Sequence, residues 1–194
     1  MQNDMFTEIR REIIPKATGT VLEIGFGSGL NMPFYKQDGG ISRLYALEPS
    51  LELFEKYVSS QGQNKANPQP IEVNWLHASA ESIPLPDASV DTVVSTWTMC
   101  TIPNPGVALS EISRVLKPGG TFIFVEHGLS PHKVAATCQR IGTPFSKCLA
   151  GGCHLNRDIK SLLTSSPLQI KELKTFSRKY RPLEYTYQGS ALKI

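Results

Sequence analysis

The stretch Glu23-Ile24-Gly25-Phe26-Gly27-Ser28-Gly29 sets the tightest limit on how this chain can fold and what it can bind. It follows Thr20 to Ile24, a short apolar run of β type, and precedes Leu30 to Lys36, where a helix is expected to begin. Strand, glycine loop and helix in that order let backbone approach a nucleotide-like ligand closely, because glycine carries no Cβ and tolerates positive φ. A dinucleotide fingerprint would need G-x-G-x-x-G, yet the sixth position counted from Gly25 is Leu30. A P-loop would need Gly-Lys-Ser/Thr, which is absent. On its own, the alternation of glycines also fits an ordinary tight turn.

Glu48 narrows that choice. A second strand is expected over Arg43 to Leu47, and Glu48 stands at its end, about 20 residues past the loop, where a carboxylate can accept both hydroxyl hydrogens of a ribose. The plain alternative is a solvated strand-end glutamate. Ser50 suits the N-cap of a helix through Ser59, with Leu51, Phe54 and Val58 on one side. Gln61 to Pro70 reads as a surface loop and Ile71 to Leu76 as a third strand. Val90 to Ser95 is a β-branched run of the kind buried on both faces of a parallel sheet, Val107 to Leu116 has helical spacing, and Lys117-Pro118-Gly119-Gly120 stops that helix. Thr121 to Glu126 supplies a fifth strand.

Five strands alternating with helices predict a doubly wound, Rossmann-like α/β fold of three layers, α/β/α. With 194 residues, one domain over 1–194 is expected, opening with a helix within residues 1–17 whose stripe includes Ile9, Ile13 and Ile14. Residues 128–165 read as largely helical with a break at Gly151-Gly152, and Gln169 to Ser177 with Tyr185 to Leu192 as a closing antiparallel pair joined by a Pro-containing turn.

Val21 to Gly29 resembles motif I of class I S-adenosylmethionine-dependent methyltransferases, Leu116 to Gly120 resembles the helix end after their fourth strand, and Asp91 to Ser95 resembles the fourth strand of the UbiE-like, or type 11, subgroup. The resemblance implies a seven-stranded sheet, mostly parallel with an antiparallel last strand, and S-adenosyl-L-methionine as cofactor. It further implies Glu23 near the methionine amino group, Gly25, Gly27 and Gly29 flanking methionine and ribose, and Glu48 with Pro49 at the ribose. Ser79 and the Ala80 backbone would take the adenine, although relatives often carry Asp where this chain has Ser79. Thr96, Trp97 and Thr98 leave the fourth strand at the ligand edge of the sheet; Trp97 equally suits a place in the core.

The acceptor is less constrained. An Asn/Asp-Pro-Pro-Tyr element, found in methyltransferases of DNA bases and glutamine, is replaced by Ser95-Thr96-Trp97-Thr98, which disfavours those substrates. His127, expected at the rim after the fifth strand, can take a proton from a thiol, hydroxyl or carbon acid, or simply order its loop. Gly151 to Arg157 resembles a segment of the small thiol methyltransferase-like subgroup, which implies that Cys153, His154 and Arg157 line an acceptor pocket within an acceptor-side region, 128–165. A helix start with Asn156 as N-cap explains the same residues. His127 and His154 are therefore the candidate catalytic groups, and a small-molecule thiol, quinone-like phenol or lipid head group the candidate acceptor.

Other classes fit less well. Twenty basic and 17 acidic residues give a net charge of +3 without a Lys/Arg block, so no nucleic-acid partner is expected. Cys138, Cys148, Cys153 and His154 are loosely clustered but lack the paired spacing of a structural zinc site, and no metal is expected. No G-x-S-x-G elbow marks a hydrolase. No apolar run approaches the roughly 18 to 20 residues that span a bilayer, and reduced thiols without a secretory segment suit a cytoplasmic protein. A non-catalytic S-adenosylmethionine-binding partner protein is the runner-up, and a nicotinamide-dependent oxidoreductase the third reading.

Overall fold

Two apolar runs, β1 (Gly19–Ile24) and β4 (Val90–Thr96), lie side by side in parallel at the centre of the sheet, where side chains on both faces are covered. The computed structural model describes residues 5–36, 40–61, 71–149, 151–178 and 181–194. Around the central pair stand β2 (Ile41–Leu47), β3 (Val73–Leu76), β5 (Leu116–Gly128), β6 (Leu168–Arg178) and β7 (Arg181–Lys193), in the order β3-β2-β1-β4-β5-β7-β6. The first five strands run parallel, and β7 is antiparallel to both β5 and β6. The expected seven-stranded, Rossmann-like sheet with an antiparallel end is thus the architecture observed.

Alternation along the strands divides the core in two. Leu22, Ile24, Val93, Phe122 and Phe124 pack on α3 (Pro105–Val115) and α5 (Ile159–Thr164) through Ala108, Leu109, Ile112, Ile159 and Leu163. On the opposite face Val21, Val94, Ile123 and Val125 meet Ile9 and Ile13 of α1 (Met5–Ile13) and Tyr57 of α2 (Leu51–Gln61). α3 starts as its sequence allows, with Pro105 in the first turn and Asn104 accepting the Val107 N–H. The remaining helix, α4 (Lys133–Leu149), precedes the Gly151-Gly152 break. Among the described residues, no helix is long and apolar enough to cross a membrane.

Four local expectations are corrected. Leu30 to Lys36 holds only a turn of 3-10 helix, Met32–Phe34, because Pro33 cannot donate and the stretch before Gly39-Gly40 is too short to offset helix nucleation. Residues 77–89 reach β4 without a helix, so strand and helix do not alternate strictly. Lys117 to Gly120 does not separate α3 from its strand: β5 begins at Leu116, which pairs with Val90. α5 is capped by Asp158, not Asn156, since the Asp158 carboxylate stands next to Ile159 and accepts both Ser161 N (3.0 Å) and Ser161 Oγ (2.7 Å). Apart from Gln61, the surface loop read over Gln61 to Pro70 lies outside the described residues, as do residues 179–180 of the closing turn.

Candidate functional site

From β1 the sheet grows toward β2, and from β4 toward β5, so a crevice opens at the carboxyl ends of these neighbours. It holds a cleft whose lining includes Gly25, Glu48, Pro49, Ser79 and Ala80, together with Thr98, Thr101, Ile102 and Pro103 from the loop after β4. Five of the expected cofactor residues therefore meet around one cleft. Gly25 has φ +64°, and a Cβ there would overlap the Thr98 side chain, so backbone is all that fits between strand end and loop. Gly29, at φ +77°, lies against the Tyr57 ring in the same way.

Glu48 joins the glycine loop to α2. Its Oε2 accepts the Gly27 N–H at 3.0 Å and its Oε1 the Ser50 N–H at 3.1 Å, which aims the carboxylate along the cleft wall and leaves further lone pairs for ligand hydroxyls. Opposite, Ser79 Oγ donates to Glu81 at 3.1 Å, and Glu81 accepts the Asn104 N–H at 2.9 Å, tying that wall to the start of α3.

The other expected contacts stand behind the lining. Glu23 is buried beneath the loop, where Asn31 Nδ2 donates to it at 2.9 Å and Tyr35 Oη at 2.7 Å. Burial pushes its pKa up to about 7 against those hydrogen bonds and the nearby Arg10 charge. Asn31 also donates to Thr96 Oγ1 at 3.0 Å and accepts from Arg10 Nε at 3.0 Å, so one amide links β1, β4 and α1. Trp97, at φ +53°, turns the chain out of β4 and packs edge-on to Phe6, with the Arg10 guanidinium 4.8 Å above its ring. Thr96 and Trp97 thus support the N-terminal helix rather than line the cleft.

The loop after β4 is held from below by two charged groups. Glu126, fully buried on β5, accepts Ser95 Oγ at 2.5 Å and the Met99 N–H at 2.9 Å. Arg157 donates to the Met99 carbonyl at 2.6 Å, and the His154 N–H to the Cys100 carbonyl at 2.9 Å. Backbone donors face a carboxyl group and backbone acceptors face cation and amide, so the loop is fixed by complementary hydrogen bonds.

A glycine loop, a strand-end carboxylate and a clamped loop around one cleft agree with a sequence comparison in which residues 22–124 match the family model described as a methyltransferase domain. The chain belongs to the S-adenosylmethionine-dependent methyltransferases of type 11. This methyltransferase is 31% identical over 159 residues to the thiol S-methyltransferase TMT1B of Rattus norvegicus, a match covering 81% of the chain and 63% of that protein. It is 39% identical over 84 residues to the ubiquinone/menaquinone biosynthesis C-methyltransferase UbiE of Rubrivivax gelatinosus, covering 43% of the chain and 30% of that protein. The chain thus spans less than two thirds of the thiol methyltransferase it matches. Its fold is shared with a solved S-adenosylmethionine-dependent methyltransferase from Mesorhizobium loti, with TM-score 0.72 and 15% identity across 98% of each chain.

The two candidate histidines of the methyltransferase occupy different neighbourhoods. His127 is the penultimate residue of β5 and lies on the face of α1, with ring centroids 6.4 Å from Phe6 and 6.2 Å from Trp97. His154 lies on the Glu126 side, its Nδ1 3.1 Å from the Cys100 carbonyl and 3.2 Å from Arg157 Nη2. With Arg157, His154 lines an open depression that shares Pro103 with the cleft of Gly25 and Glu48. Cys153 is buried beside them as a neighbour of Cys100, whose thiol donates to the Trp97 carbonyl at 3.6 Å. Sequence reasoning missed Asn31, Tyr35 and the clamping role of Glu126; of the three residues expected at the edge after the fourth strand, Thr98 is the one that lines the cleft. An Asn and a Tyr following a buried strand carboxylate were the available signal for the first two.

Proposed function

We propose that this methyltransferase transfers the methyl group of S-adenosylmethionine to the sulfur of a small-molecule thiol. The observation that carries the reading is the 159-residue match to a thiol S-methyltransferase, which extends beyond the segment 22–124 defining the cofactor half. When bound, the cofactor supplies a methyl group already activated on a sulfonium. Glu48 holds the ribose hydroxyls, the glycine loop admits the methionine portion, and Ser79 with the Ala80 backbone meets the adenine. Glu23 acts one layer below, through Asn31 and Tyr35, as the support of the glycine loop.

The acceptor enters by the depression of His154 and Arg157. A free thiol has a pKa of about 8.5, and the Arg157 cation favours its ionised form. With an activated methyl, the protein mainly needs to align the sulfur with the C–S bond and keep water out. The test is incubation with S-adenosylmethionine and a panel of alkyl thiols, following S-adenosylhomocysteine and the methyl thioether. Turnover of phenols or quinone-like acceptors alone would replace the thiol. Cofactor binding with no product across the panel would make the protein a binder.

A further inference from the structure

Helix α4 is built inside out. The side facing the sheet is small and polar: Ala136, Gln139 and Thr143 are buried, and Gln139 accepts the Ser130 N–H at 2.8 Å while donating to the Gly128 carbonyl at 3.0 Å. The outward side is apolar, with Val134, Ile141, Phe145 and Leu149 between 67% and 86% exposed. Exposed Cys138 and Cys148 fill the intervals, so positions 134, 138, 141, 145 and 148–149 form one stripe at helical spacing. Lys133, Arg140 and Lys147 recur every seventh residue along one edge of it. No Asp or Glu occurs in the helix.

We propose that this face of α4 lies on the surface of an anionic lipid bilayer. The stripe enters the boundary between head groups and acyl chains, and the three cations meet lipid phosphates. The helix lies flat, since its length of about 25 Å and its charges suit an interface and not a span. Charge selects this occupant over a second copy: two-fold antiparallel packing on the stripe would set Lys133, Arg140 and Lys147 against the same row of the other chain. A bilayer of anionic lipid places opposite charge along that edge instead. α4 leads directly into the Gly151 to Arg157 segment, and Gly142 packs near Leu155, so a membrane-seated α4 brings the depression of His154 and Arg157 toward apolar acceptors dissolved in lipid.

The experiment is vesicle co-sedimentation of the full chain, read without turnover and hence independent of the acceptor reading. Wild type should sediment with phosphatidylcholine–phosphatidylglycerol vesicles at least tenfold more strongly than with phosphatidylcholine alone, and less so as salt rises. Ile141→Asp with Phe145→Asp, both exposed positions, should abolish binding with an unchanged circular dichroism spectrum and melting temperature. Lys133→Glu, Arg140→Glu and Lys147→Glu together should erase the preference for phosphatidylglycerol. Wild type remaining in the supernatant, or the double variant sedimenting equally, overturns the proposal. A wild-type dimer that the double variant makes monomeric, without vesicle binding, would assign the face to a second copy.

Discussion

The Glu126 carboxylate on β5 accepts the Met99 N–H at 2.9 Å and so holds the loop that walls the cleft of Gly25 and Glu48. Burial pushes its pKa up to about 7, with Ser95 and the backbone of Met99 pulling the other way, and burial raises Glu23 to about 7 as well. Both values lie above the 4.5 of a free glutamate, so the folded chain binds more protons than the unfolded chain between about pH 4.5 and 7. The contribution of these groups is complete below pH 4.5 and is lost as pH rises through 7. Urea unfolding should show stability falling over that window by roughly 1–3 kcal/mol per group, with a shallower slope in Glu126→Gln. Equal slopes in the two proteins would refute the assignment.

Gly25→Ala should remove cofactor binding while leaving a folded protein. The new methyl must coexist with φ +64° and with the Thr98 side chain, so the loop shifts away from the strand end. Strain of about 1–3 kcal/mol is expected, visible as a lower melting temperature, alongside at least a tenfold rise in the dissociation constant of S-adenosylmethionine by calorimetry.

Glu48→Gln keeps the shape and one carbonyl acceptor but loses charge. One of the N–H groups of Gly27 and Ser50 then faces an amide NH2. Hydrogen bonds to a charged group are each worth about 1.5–3 kcal/mol, so cofactor affinity should fall between roughly 10- and 100-fold. An unchanged affinity would move the ribose contact to another residue.

Substituting the histidines separates their roles. His154→Ala should lower turnover of a verified thiol more than cofactor affinity, because His154 lies on the depression and not on the cleft of Gly25 and Glu48. His127→Ala should act through the packing of Phe6 and Trp97, lowering the melting temperature first. Full activity in both variants would exclude either ring as the proton acceptor.

Cys153 should be unusually reactive toward small alkylating agents. Interaction with the Cys100 thiol, helped by Ser146 and the Arg157 charge, acts against burial and brings its pKa down to about 7; Cys100 is pushed strongly upward by the same neighbour and by burial. With Cys138→Ser and Cys148→Ser in place, alkylation followed by mass spectrometry should show one thiol reacting with a midpoint near pH 7. Cys100→Ala should raise that midpoint by about one unit.

The sequence by itself determined the strands, the glycine loop, Glu48 at a strand end and the antiparallel close, because these follow from periodicity and from backbone demands within a few residues. It did not determine which partners meet across the fold. Asn31 and Tyr35 converge on Glu23, and Arg157 reaches Met99 across 58 positions of sequence, through sheet order and not local spacing. Trp97 shows the same limit: leaving β4 at the ligand edge was legible, but its positive φ sends the ring to Phe6. In α4 the pattern alone reveals an apolar stripe, and hydrophobicity would place that stripe in the core. Only the tertiary structure turned it outward, because Gln139 is committed to the backbone of Gly128 and Ser130, and those buried polar groups have to be satisfied.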